Sequence, residues 1–68
     1  MKATYDKEAD AAYIYLKEKI GKGEIKNTIS MNENIILDFD KDHKLIGIEI
    51  LSASKVIQSG IIPTLQTT

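Results

Sequence analysis

From Ile35 to Leu51, apolar and polar positions alternate on both sides of a charged turn. Ile35, Leu37 and Phe39 alternate with Ile36, Asp38 and Asp40. After Lys41-Asp42-His43-Lys44, Ile46, Ile48 and Ile50 alternate with Leu45, Gly47, Glu49 and Leu51. A period of two in branched and aromatic side chains around an Asp-rich turn predicts a β-hairpin. Glu24 to Met31 alternates in the same way, with Ile25, Ile29 and Met31 on one face and Lys26, Thr28 and Ser30 on the other. Asn32-Glu33-Asn34 connects it to the hairpin, since Asn tolerates left-handed backbone. Strands 24–31, 35–40 and 45–51 thus read as an antiparallel meander. One of its faces carries Ile25, Ile29, Ile35, Leu37, Phe39, Ile46, Ile48 and Ile50.

The flanks supply what can cover that face. Lys2-Ala3-Thr4-Tyr5 is a short candidate strand. The stretch from 7 to 20 fits two templates. As a helix capped by Asp6, it would align Ala9, Ala12, Tyr13, Leu16 and Ile20 in an apolar stripe. As a strand, it would put Ala12, Ile14 and Leu16 opposite Tyr13 and Tyr15. Alanine favours the helix and Tyr-Ile-Tyr the strand, and periodicity does not separate them. Gly21-Lys22-Gly23 reads as a turn. Ser52 can cap a short helix over 53–57, with Gly60 stopping it and Pro63 preventing its resumption. The expected fold is mainly β, with α+β as the alternative: a meander of about four to five strands with a short C-terminal helix. Residues 1–57 form the compact domain and 58–68 a partly flexible tail.

Composition narrows the function classes. A chain of 68 residues is one domain. At that length about 60% of the unfolded surface is buried, so stability is marginal. Cysteine is absent, which excludes disulfides and thiolate metal sites. The net charge is −1 with both signs interspersed, without the basic patch that phosphate backbones require. No apolar run approaches the roughly 20 residues that span a bilayer, and Met1 to Asp6 lacks the apolar core of a signal peptide. The expected location is cytoplasmic.

Three blocks together resemble a known family. Tyr5-Asp6-Lys7-Glu8-Ala9-Asp10-Ala11-Ala12-Tyr13-Ile14, then Ile36-Leu37-Asp38-Phe39-Asp40, then Leu45 through Ser54 are similar to the DUF2283 family of small prokaryotic proteins of unknown function. The resemblance extends to about Ile57. It implies a β-rich domain in which 11–17 is a strand. It implies no activity, cofactor or catalytic residue. Genes of this kind can neighbour small toxin-like genes, which implies a partner-binding role. Similar sequences carry Gly where this chain has His43, so His43 is expected at positive φ.

Several constellations could carry chemistry. Counting from Asp38, the acids Asp40, Asp42 and Glu49 fall at the third, fifth and twelfth places, the carboxylate spacing of an EF-hand loop. Against a metal site there, His43 stands at the sixth place, where that loop needs Gly, and the flanks are strand rather than helix sequence. Asp6, Glu8 and Asp10 form a second acidic group, read as turn formers whose carboxylates bond nearby amides. His43, the one histidine, has no nucleophile at a recognisable spacing. No catalytic or cofactor-binding residue is assigned and no cofactor is expected.

Tyr13, Tyr15, Ile36, Leu45 and Leu51 share the reverse face of the sheet. They are the candidate partner-binding surface. The function expected is a protein-interaction module, as a homodimer or with a toxin-like protein partner. The alternatives are a carboxylate metal site or small enzyme on the 38–49 hairpin, and nucleic-acid binding by stacking on the tyrosines.

Overall fold

Three local devices set the strand boundaries. The Asp6 carboxylate accepts hydrogen bonds from the amides of Glu8 (3.0 Å) and Ala9 (3.3 Å), turning the chain after the first strand. Asp10 follows at φ 51°. A helix from Lys7 cannot pass through that residue, and the ambiguous segment is a strand over Ala11–Tyr15, two residues short of the 11–17 that the family resemblance implied. The Asn32 side chain accepts from the amides of Asn34 and Ile35, both at 2.8 Å. Neither asparagine takes the left-handed backbone expected of it; the side-chain oxygen makes the turn instead. At the hairpin, Asp40 accepts from the amides of Asp42 (2.8 Å) and Lys44 (3.0 Å), and His43 sits at φ 62°. A turn followed by a left-handed residue is a common three-residue hairpin connection.

The computed structural model describes residues 1–58 and 60–67. Five strands form an antiparallel sheet: β1 (Lys2–Asp6), β2 (Ala11–Tyr15), β3 (Asn27–Ser30), β4 (Ile35–Phe39) and β5 (Leu45–Leu51). Their spatial order is β3-β4-β5-β2-β1. The predicted meander is thus β3-β4-β5, and the N-terminal hairpin docks beside it, with Ile14 opposite Ile48 and Ala12 opposite Ile50. The register between β4 and β5 shifts between Asp38 and Phe39, so Ile46 forms a bulge.

The strand expected over 24–31 shortens to 27–30. Glu24 is drawn into the preceding turn, its carboxylate accepting from the Gly21 amide (2.8 Å) and pairing with Lys17. The C-terminal segment also differs from expectation. Helix α1 (Ala53–Val56) has Ser52 at its N-cap with φ 53° and no side-chain cap bond. It ends at Val56, with Ile57 extended as its C-cap, before Gly60. Pro63 lies inside a short 3-10 helix (Ile62–Thr64), where its fixed φ suits the first turn. The two-residue strand β6 (Gln66–Thr67) then pairs parallel to β1. Five of the nine described residues in the stretch read as a tail therefore have regular structure; Ser59 and Thr68 lie outside the described residues.

Cross-strand pairs define two faces. The first carries Tyr5, Ala12, Ile14, Ile29, Ile35, Leu37, Ile48 and Ile50. The C-terminal segment covers part of it: Ile50, Ala12 and Ala53 are buried, with Ile57, Ile62 and Leu65 packed against them. Ala53 is completely buried, because a small side chain lets α1 approach the sheet closely. The second face carries Tyr13, Tyr15, Ile36, Asp38, Gly47, Glu49 and Leu51.

Candidate functional site

The second face is organised by Tyr13. From β2 its ring lies across β5 at Gly47 and reaches β4, where its hydroxyl donates to Asp38 Oδ2 at 2.7 Å. Thr28 on β3 donates its hydroxyl to the other carboxylate oxygen at 2.9 Å. One chain of hydrogen bonds thus ties β2, β4 and β3 together across β5. Gly47 makes this geometry feasible. A Cβ built there would stand 2.0 Å from the Tyr13 hydroxyl and 2.6 Å from Cζ. A glycine inside a strand often marks a close approach of this kind.

Asp38 is only 7% exposed. Burial, then the hydrogen bond to Asp38 and the charges of that residue and its neighbours, raise the Tyr13 phenol well above its ordinary range. The phenol therefore remains a donor. Both groups facing the carboxylate are neutral hydroxyls. Among the described residues, the salt bridge is Lys17–Glu24, on the adjoining loop.

The loop from Leu16 to Lys26 arches over this face and leaves an open cleft of about 490 Å³, lined by Tyr13, Tyr15, Ile20, Ile25, Asp38 and Glu49 with the Gly21-Lys22-Gly23 turn. The two tyrosine rings meet edge to face at a centroid separation of 4.7 Å. Lys2 Nζ lies 4.7 Å from the centroid of the Tyr15 ring, within cation–π range.

The sequence-expected residues are distributed as follows. Tyr13 and Tyr15 wall the cleft, both half-buried. Ile36 pairs with Glu49 on the same face, and Leu51 pairs with Ala11 at its end. Leu45 is exposed beside the bulge. The four acids of the EF-hand-like spacing have separate tasks. Asp38 is buried under Tyr13, Asp40 holds the hairpin turn, Asp42 is exposed in it, and Glu49 stands on the cleft rim. Among the described residues, no three His, Cys, Asp or Glu side chains are placed to hold a metal ion together. The buried tie of Asp38 to Tyr13 and Thr28 is not legible from the alternation, which places Asp38 only on the polar side of its strand. The signal for it was Gly47 inside an apolar strand.

A second missed assembly joins Tyr5, Asp10 and Ser54. Tyr5 donates its hydroxyl to Asp10 Oδ1 at 2.7 Å, and Ser54 donates its amide to the same oxygen (3.0 Å) and its hydroxyl to Oδ2 (2.7 Å). The Asp10 carbonyl accepts the Ala53 amide at 2.8 Å. Asp10 therefore caps α1 from a distant turn, in place of Ser52. Its bonds to Ser54 and Tyr5 hold its carboxyl below the ordinary carboxylate range.

Among the described residues, no helix is long and apolar enough to cross a membrane. The family model that matches residues 2–54 is described as a protein of unknown function, DUF2283. No curated protein and no solved structure matches the chain.

Proposed function

The chain belongs to the DUF2283 family, and on that premise we propose that it is a protein-interaction module that works as a homodimer through β3 and the open half of the first sheet face. The observation that carries this reading is how little the single chain buries. Its buried apolar residues are Ala12, Ile46, Ile50 and Ala53, with no large side chain fully enclosed among the described residues. The C-terminal segment covers β1, β2 and β5 but leaves the β3–β4 end open. There Ile29 is 54% and Met31 67% exposed, next to half-buried Leu37 and Phe39.

β3 is also an edge strand. It has no proline and no charged residue, the usual guards against edge-to-edge pairing. Antiparallel pairing of two β3 edges about a two-fold axis would extend the sheet and bring the Ile29 rows of both copies together. The tyrosine face is a less open surface, because Tyr13, Tyr15, Ile36 and Leu51 are each half-buried within the chain.

Light scattering across a dilution series tests the proposal. A dimer at high concentration that Ile29→Glu converts to a monomer, and that Tyr15→Glu leaves intact, is the expected result. A wild-type chain that stays monomeric at millimolar concentration overturns it. Loss of the dimer in Tyr15→Glu alone moves the interface to the tyrosine face.

A further inference from the structure

The Tyr13–Tyr15 cleft has a chemistry of its own, independent of the dimer surface. We propose that it binds a small organic cation, a guanidinium or alkylammonium group seated against the paired tyrosine rings with Asp38 at its floor and Glu49 at its rim.

The first support is the buried carboxylate. Asp38 is 7% exposed, and its two hydrogen bonds come from the uncharged hydroxyls of Tyr13 and Thr28. A buried charge is ordinarily paired with a cation; neither donor here supplies one. Each carboxylate oxygen has two lone-pair directions, so one remains on each after Tyr13 and Thr28 are served. Asp38 forms part of the cleft wall.

The second support is the aromatic lining. Tyrosine faces attract cations through the ring quadrupole. In this chain that attraction is already in use, since Lys2 Nζ lies 4.7 Å from the Tyr15 centroid. The edge-to-face arrangement turns the two rings at 69° to each other, the beginning of a cage rather than a flat stacking platform. Ile20 and Ile25 complete the apolar wall. The volume, about 490 Å³, suits a small molecule or one side chain.

The charged groups that line the cleft are Asp38, Glu49 and Lys22. Lys22 is exposed on the loop turn, where its flexible stem can swing into solvent. The two acids are held on strands. With Lys2 over the Tyr15 ring counted, the strand-borne charges Asp38, Glu49 and Lys2 still sum to −1, which favours a cation over a carboxylate or phosphate. Guanidinium suits the geometry best. Its planar face can stack on a tyrosine while its N–H edge meets the free lone pairs of Asp38.

The test is titration of the full chain followed by amide NMR. Agmatine represents a free amine ligand and N-acetyl-arginine amide the side chain of a peptide; N-acetyl-glutamate amide is the anionic control, all at matched ionic strength. Saturable shifts in Gly21, Gly23, Gly47 and Glu49 with either cation, and none with the anion, are expected. The preferred cation identifies the source. Glu49→Gln should weaken binding about fivefold, the scale of one partly exposed charge pair. Asp38→Asn should weaken it at least as much. Asparagine can still accept from Tyr13, so a native-like spectrum checks that the sheet survives, and Glu49→Gln serves if it does not. Absence of saturable shifts overturns the proposal. So does equal response to the anion, or unchanged affinity in the folded carboxylate variants.

Discussion

His43 and Gly47 are two residues whose backbone or side-chain space is set by one neighbour each, and both can be tested singly. His43 at φ 62° occupies a region that a side chain enters at steric cost, whereas glycine enters it freely. The residue is exposed in the hairpin turn, and its amide bonds to the Asp40 carbonyl in a way that glycine preserves. His43→Gly should therefore raise the urea midpoint, with a gain of up to about 1 kcal/mol, the scale of relieving one left-handed position. A loss of stability would mean that the imidazole makes a contact worth more than the strain. The opposite holds at Gly47. Gly47→Ala places a methyl 2.0 Å from a hydroxyl that Asp38 holds in place. The ring must leave, and Asp38 loses a donor while still buried, at about 1–3 kcal/mol. In a Tyr13→Ala background the same substitution should cost much less; equal cost in both backgrounds would show that the tyrosine is not what the methyl meets. The alternation that predicts strands says which side of the sheet Tyr13 and Asp38 occupy. It does not say that they touch, because they are 25 residues apart and joined across a third strand.

At the scale of elements, the meander was legible because each of its strands alternates and its turns are short. The N-terminal hairpin needed more. Residues 11–15 are alanine-rich, and only tertiary pairing with β5 and β1 makes them a strand. The C-terminal segment was the least legible part. Its helix is four residues long, too short for periodicity, and its cap comes from Asp10, 44 residues away from Ser54. That remote cap has a pH consequence. Asp10 is held below its ordinary carboxyl range by Ser54 first and Tyr5 second, so its folded-state pKa lies under the unfolded value of 3.8. The folded state then binds fewer protons than the unfolded state between those two values. The stabilisation is fully present above the unfolded pKa and is lost as pH falls through the folded one. Acid titration of stability should show a drop below pH 4 that is smaller in Asp10→Asn. Amide exchange in α1 should accelerate in the same range, ahead of exchange in β4 and β5. An unchanged acid limb in the variant would remove Asp10 from this role.

At the scale of the whole molecule, the accessible surface is 4898 Å². A folded monomer of 7.6 kDa is expected to expose about 4,300 Å² by the usual scaling of surface with mass. The excess of roughly 600 Å² approaches the ~800 Å² that each partner contributes to a standard interface. The exposed Ile29 and Met31 lie at one end of the sheet, which is where such an excess can be removed by a single contact. If the folded chain pairs there and the unfolded chain does not, mass action couples stability to concentration. At a concentration of about 100 times the dissociation constant the coupling is worth about 2.7 kcal/mol. For a domain of this size that raises the thermal midpoint on the order of 10–20 °C. Melting curves taken over a hundredfold range of wild-type concentration should therefore spread toward higher temperature. Those of Ile29→Glu should superimpose at a lower midpoint, because the charge blocks pairing without altering the covered half of the sheet. Wild-type curves that also superimpose would mean that the monomer is stable with its β3–β4 end exposed, and that this end is free for a different protein.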